Sequence, residues 1–274
     1  MSVVLTPNNT WSVMKSPVNG DAADASTLTS ETTQPMANNL GFTYQGLYGS
    51  HQLPTLYSVN GTDIVVGAIP AMRTTTVIIS KTTTTTVVAA TALGSALANS
   101  TWYYLYAYNN AGTLAFSVST TAPQANLRYK TGDNDSAYCG CFRTNGSAVI
   151  IPFQATGGRY VYTLPLNALT VGASPPTSFT DLSLASYVPP HSRLAALQAL
   201  AFQASSPEFL RVKPKGVTAS GLTDPTLLLP VGTHTANIYW RFECPTDGSQ
   251  VVQYMMDLGG VAAGLSIDVT GFCE

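Results

Sequence analysis

Three histidines, His51, His191 and His234, are the only imidazoles the chain offers for acid-base work or for activating a nucleophile. A hydroxyl or thiol nucleophile needs such a ring within hydrogen-bond reach and an acid orienting its other nitrogen. No Gly-x-Ser-x-Gly elbow supplies the hydroxyl, and all three histidines read as surface or satisfied polar residues near turns. Glycoside hydrolysis needs two carboxylates flanking a cleft. Asp133, Asp135, Asp181, Asp224, Asp247, Asp257 and Asp268 are available, mostly in turns, and no spacing selects a pair. Gly132-Asp133-Asn134-Asp135 is a loop sequence whose side chains bond their own backbone, with a weak calcium site as the alternative. The chain has no phosphate-binding loop, no dinucleotide fingerprint and no His-Glu-x-x-His zinc motif. The residues therefore predict no enzyme: no catalytic residue, cofactor or metal ligand is assigned.

Four cysteines, Cys139, Cys141, Cys244 and Cys273, are too few for a disulfide-dense scaffold. They read as buried thiols, and whether any of them pair is left open. Cys139 and Cys141 are two apart, so on a regular strand both face one side. A four-thiolate zinc site can be drawn from them, but structural zinc sites use a wider first pair. The Asn-x-Ser/Thr triplets at Asn60, Asn99 and Asn145 carry little meaning without a secretion signal.

The elements that position these residues are strands. Asp63–Val66, Thr74–Ile79 and Thr84–Ala90 are β-branched runs separated by Gly67, Pro70 and Lys81. Thr101–Tyr108 and Thr113–Ser119 flank Asn109-Asn110-Ala111-Gly112, which predicts a hairpin with a loop of about four residues. On its first strand Trp102, Tyr104, Tyr106 and Tyr108 share one face, and Tyr103, Leu105 and Ala107 share the other, so one face packs in the core. Trp102, Tyr103 and Tyr106 are candidates for a sandwich or subunit interface, or for a glycan contact. Tyr138–Thr144, Ala148–Gln154 and Tyr160–Leu166 continue a meander. Asp181–Tyr187, Leu194–Gln203, Phe209–Lys213, Thr235–Cys244, Val251–Asp257 and Leu265–Phe272 repeat the rhythm after a Gly- and Pro-rich boundary at Thr170–Thr177. Leu194–Gln203 has good helix propensity but also alternates, and is assigned to strand. Residues 1–50 show little periodicity. Pro35 limits any helix from Ala22 to Leu40, and the segment reads as an arm that gains order against a partner. The prediction is an all-β protein: an antiparallel β-sandwich or jelly-roll-like body with an extended N-terminal arm. Its parts are residues 1–50, 51–170 and 171–274.

Only 9% of the 274 residues are charged, against about 25% in an average soluble protein. The surface is therefore mostly Thr, Ser, Asn, Gln, Gly and Ala. A formal net charge of -2 with no basic stripe argues against nucleic-acid binding. No long apolar run predicts membrane insertion or secretion, so the expectation is a chain kept inside the cell that makes it. Weak repulsion between copies suits a fixed assembly.

Several strings resemble a family. LANSTWYYLYAYNNAGTLAFSVSTTAP, Leu97–Pro123, resembles a module of tailed-bacteriophage virion proteins in which a Ser-Thr-Trp-Tyr-Tyr strand precedes an Asn-Gly turn and a Ser-Thr-x-x-Pro exit. LRYKTGDNDSAYCGCFRTNGS from Leu127, LSLASYVPPHSRLAAL from Leu182 and LSIDVTGF from Leu265 are similar to further family segments, in order. VVLTPNNTWSV and PVNGDAADAST are similar to N-terminal segments of phage fibre proteins. Cys139 and Cys141 stand where the family often has larger apolar or small residues, so no role for them is inherited. The resemblance implies a non-enzymatic structural protein of the virion, assembled in the bacterial host cytoplasm. It implies a homotrimeric fibre or spike in contact with capsid, tail or collar proteins. Trp11, Pro17 and Asp21 are the candidate particle-anchoring residues, and a host cell-surface glycan is the candidate external partner. A capsid decoration or head fibre, a tail or collar adaptor, and a polysaccharide-degrading tailspike are the alternatives.

Overall fold

Short β-branched and aromatic runs broken by Gly, Pro, Asn and Asp dictate short extended segments. The computed structural model of the chain is built almost wholly from them. It describes residues 2–5, 11–14, 53–73, 78–172, 175–202, 208–218, 227–231, 238–256 and 264–274. The strands are β1 (Ser2–Leu5), β2 (Trp11–Met14), β3 (Leu56–Ser58), β4 (Asp63–Val66), β5 (Ile69–Arg73), β6 (Ile78–Lys81) and β7 (Thr85–Val88). A one-turn helix, α1 (Ala89–Leu93), is followed by β8 (Trp102–Asn110), β9 (Thr113–Ser119), β10 (Tyr129–Lys130), β11 (Asp133–Arg143), β12 (Phe153–Thr156) and β13 (Arg159–Val171). The remainder are β14 (Thr180–Ser183), β15 (Leu194–Phe202), β16 (Glu208–Pro214), β17 (Leu227–Val231), β18 (Ile238–Pro245), β19 (Val251–Met256) and β20 (Gly264–Cys273).

The chain divides into two compact units, Met1–Ser50 and His51–Glu274. In the first, β1 and β2 pair antiparallel, with Leu5 opposite Trp11. Pro17, Asp21 and the 22–40 segment lie outside the described residues.

The second unit is an all-β antiparallel assembly. Its largest sheet has the order β18-β15-β20-β13-β12-β3-β4-β7, and two four-stranded sheets run β10-β11-β8-β9 and β14-β19-β16-β17. The first of these lies against the eight-stranded sheet. Trp102 of β8 meets Phe272 of β20 edge-on at 5.8 Å, and Tyr160 of β13 stacks on Phe272 at 4.3 Å. Each such aromatic pair contributes about 0.5–1.5 kcal/mol beyond area burial. Strands from both sides of the Thr170–Thr177 segment share the large sheet. β13 runs beside β20 from Arg159 opposite Cys273 to Val171 opposite Leu265. Residues 51–170 and 171–274 are therefore halves of one core rather than separate bodies.

Three local differences from expectation have physical reasons. Asn109 and Asn110 pair with Leu114 and Thr113, so the hairpin loop is two residues, Ala111 and Gly112. Both have positive φ, 49° and 89°, the twist a two-residue hairpin requires. β8 is buried on both faces from Tyr103 to Ala107, because a second layer covers each side. The strand assigned to Thr84–Ala90 ends at Val88, where α1 begins. β15 is extended as expected despite its helical propensity. It is paired on both edges, to β18 and β20, and buries Ala195, Leu197 and Ala199 on one face. That pairing outweighs propensity differences of a few tenths of a kcal/mol per residue.

Candidate functional site

Between the two facing sheets, β11 departs from regular pairing. Tyr138 is opposite Tyr106 and Gly140 is opposite Leu105, so Cys139 is an extra residue that shifts the register. Such a bulge reverses the side-chain alternation beyond it. Tyr138 and Cys141, three apart, consequently share one face with Tyr104 and Tyr106, while Cys139 turns away and sets its Sγ 3.8 Å from the Met72 sulfur. Gly140 makes this possible. Its φ is +145°, and a Cβ there would stand 2.4 Å from both Leu56 Cδ1 and the Tyr160 hydroxyl. That hydroxyl accepts a hydrogen bond from the Cys141 backbone N–H at 2.9 Å.

Two further elements complete the cluster. The Pro189-Pro190 turn presents His191 and is tied down by Ser192, whose hydroxyl donates to the Cys273 carbonyl at 2.6 Å. Gln250 secures the same turn through the Pro190 carbonyl at 3.2 Å. Glu274 follows β20, and its backbone N–H donates to Gly158 O at 3.0 Å. Its side chain is fully buried, and that of His191 is 10% exposed. Glu274 Oε1 is the hub: the Tyr138 hydroxyl lies 2.6 Å away, His191 Nε2 2.7 Å and Cys141 Sγ 3.1 Å. Tyr138 Oη is also 3.2 Å from His191 Nε2. Glu274 Oε2 and His191 Nδ1 are buried with no hydrogen-bond partner among the described residues.

Burial pushes the Cys141 thiol well above its ordinary range, and the neighbouring Glu274 carboxylate adds to the effect. Burial is likewise the main cause that raises Tyr104, Tyr138 and Tyr160. Of these groups, Tyr138 and Cys141 therefore face Glu274 Oε1 as proton donors. Here the Cys141 Sγ lies 3.1 Å from Glu274 Oε1, and the imidazole of His191 is hydrogen-bonded to the same oxygen. Among the described residues, Cys141, His191 and Glu274 form the one group of three or more metal-capable side chains, with ligand atoms within 4.8 Å of one another.

The sequence-predicted residues fall elsewhere or in supporting roles. Tyr103 and Tyr106 are buried, at 2% and 0% exposure, and offer no surface to a glycan. Tyr103 stacks on Phe142, and the Tyr106 hydroxyl donates to Thr121 O at 2.7 Å. Trp102 is partly exposed, and its indole N–H donates to Ala185 O at 3.2 Å. Trp11 lies on β2; Pro17, Asp21, His51 and His234 are outside the described residues. Cys139 and Cys141 face opposite ways because of the bulge, so the drawn four-thiolate set does not form; Cys139, Cys141, Cys244 and Cys273 are free thiols. Asp133 is engaged in its own turn, accepting from Asp135 N at 3.0 Å and from the Ser136 hydroxyl at 2.7 Å. Asn60 and Asn145 also close turns on their own backbone. Glu274 carried no signal in the sequence, since only the sheet topology brings it to Cys141 and His191. No family model and no curated protein matches this sequence.

Proposed function

We propose that the chain is a structural protein of a tailed-bacteriophage virion, a homotrimeric fibre or spike without enzymatic activity. Residues 1–50, with Trp11, Pro17 and Asp21, dock it to capsid, tail or collar proteins, and the β body meets the host surface. The observation that carries this reading is the ordered set of strings that resemble virion proteins. In the fold they supply β8 and β9, β10 and β11, the β14 to β15 stretch with the Pro189-Pro190 turn, and β20. These are all four strands of the β10-β11-β8-β9 sheet and two neighbouring strands of the large sheet that faces it, β15 and β20, with β14 from the third sheet.

Two surface features support assembly and adhesion. Val161 on β13 and Tyr239 on β18 are 50% and 56% exposed on the large sheet, apolar area that a second copy would bury. The β8–β9 tip, Asn109 to Thr113, is exposed and amide-bearing, and such groups bond sugar hydroxyls. With Tyr103 and Tyr106 buried, a glycan contact belongs to tips like this one. The test is complementation with a chain lacking residues 1–50. The body is expected to fold and to be missing from purified particles; undiminished incorporation overturns the anchor.

A further inference from the structure

We propose that Cys141, His191 and Glu274 bind one divalent transition-metal ion of the zinc class, in a buried structural site that joins the two facing sheets. The inference stands on these three side chains and is independent of the virion reading.

The hydrogen bonding around Glu274 is lopsided. Oε1 meets three donor groups, at 2.6, 2.7 and 3.1 Å, although a carboxylate oxygen has two lone pairs. Oε2, equally buried, has no partner among the described residues. A cation at the convergence point removes both faults, since the thiol proton leaves, the imidazole turns a lone pair inward, and the second oxygen becomes available as a ligand. Charge argues the same way. A buried carboxylate needs a compensating positive group, and among the described residues His191 is the only basic side chain that pairs with it. A thiolate, a carboxylate, a neutral imidazole and a dication sum to zero, so the loaded site is neutral.

The donor types select the metal. Thiolate and imidazole favour zinc and its neighbours over magnesium or calcium. Zinc takes four ligands in a tetrahedron, with bonds of about 2.0–2.3 Å. Tyr138, 2.6 Å from Glu274 Oε1 and 3.2 Å from His191 Nε2, offers a further oxygen donor, and otherwise water completes the shell. Binding releases the Cys141 proton to solvent and forms one sulfur–metal bond, with no change of oxidation state.

The supports come from three separate places: the β11 bulge with Gly140, whose missing side chain leaves room for Tyr160, the Pro189-Pro190 turn, and the residue after β20. A bound ion therefore ties three chain segments together.

The full chain, stripped by chelator and kept reduced, is titrated with Co2+ and read by absorbance. The expected result is one ion per chain, visible d–d bands of a tetrahedral site and a thiolate-to-cobalt band in the near ultraviolet that Zn2+ abolishes. C141S loses the near-ultraviolet band, C273S keeps it, and E274Q and H191A weaken affinity by roughly tenfold or more. Near-ultraviolet circular dichroism of each variant separates loss of ligand from loss of fold, and H191A with a native spectrum and unchanged affinity counts against the proposal. Absence of the thiolate band in folded wild-type chain, or its persistence in C141S, overturns it.

Discussion

Burial decides the reactivity of the four thiols. Cys139 and Cys141 are fully buried, Cys244 is buried and pushed up to about 11, and Cys273 alone is partly exposed. A thiol reagent near neutral pH is therefore expected to modify Cys273 first in the native chain, and Cys139 and Cys141 only after unfolding; mass mapping of the labelled peptides checks the order. Asp133 illustrates the opposite shift. Its carboxyl is held below the ordinary value, chiefly by the Ser136 hydroxyl. The fold favours the ionised form, so this stabilisation is complete above the unfolded value of about 3.9 and is lost as pH falls through the lower folded value. S136A is expected to return Asp133 toward the ordinary value in an NMR titration, and an unchanged midpoint would contradict the assignment. Steric room is as specific. A Cβ on Gly271 would stand 1.9 Å from the Tyr160 carbonyl oxygen, between β13 and β20. Since backbone cannot yield there, G271A is expected to cost about 3 kcal/mol or more in urea unfolding.

At the scale of elements, the two-residue β8–β9 loop pins register through Ala111 and Gly112. G112V places a β-branched residue at φ 89° and is expected to cost about 1–2 kcal/mol, with little change in spectrum. The strands here were legible because alternation and turn residues are local signals. Asp63–Val66 and Thr113–Ser119 match β4 and β9 end to end, whereas the Leu194 segment, ambiguous between helix and strand by its own residues, is the strand that its place among strands suggested. What stayed hidden is set by partners far along the chain. Alternation in TWYYLYAY promised one buried face, yet a second layer covers the other. The spacing of Cys139 and Cys141 promised a common face, yet the bulge with its positive-φ Gly140 separates them. Neither second layer nor bulge has a signature in a single strand. The Cys141, His191 and Glu274 cluster was illegible for the same reason, since its members are 50 and 83 residues apart in sequence.

For the whole molecule, Met1–Ser50 and His51–Glu274 are two compact units, and the buried hydrophobic core described here lies in the second. A chain beginning at His51 is accordingly expected to keep the strand-rich circular dichroism and cooperative melt of the body. The proposed trimer predicts a light-scattering mass three times the 28.8 kDa of one chain, against a single-chain mass if the exposed Val161 and Tyr239 stay uncovered in solution. A chain with 9% charged residues and a net charge of -2 opposes neither self-association nor fixed placement among other proteins. The central proposal, that this chain is built into a phage particle, is tested most directly by gold-labelled antibody against it on purified virions in the electron microscope. The account predicts label at a fixed position, at the tail tip or collar for an attachment fibre. Label over the head would make it a decoration or head fibre and remove the receptor role, and intact particles without label would contradict the virion assignment itself.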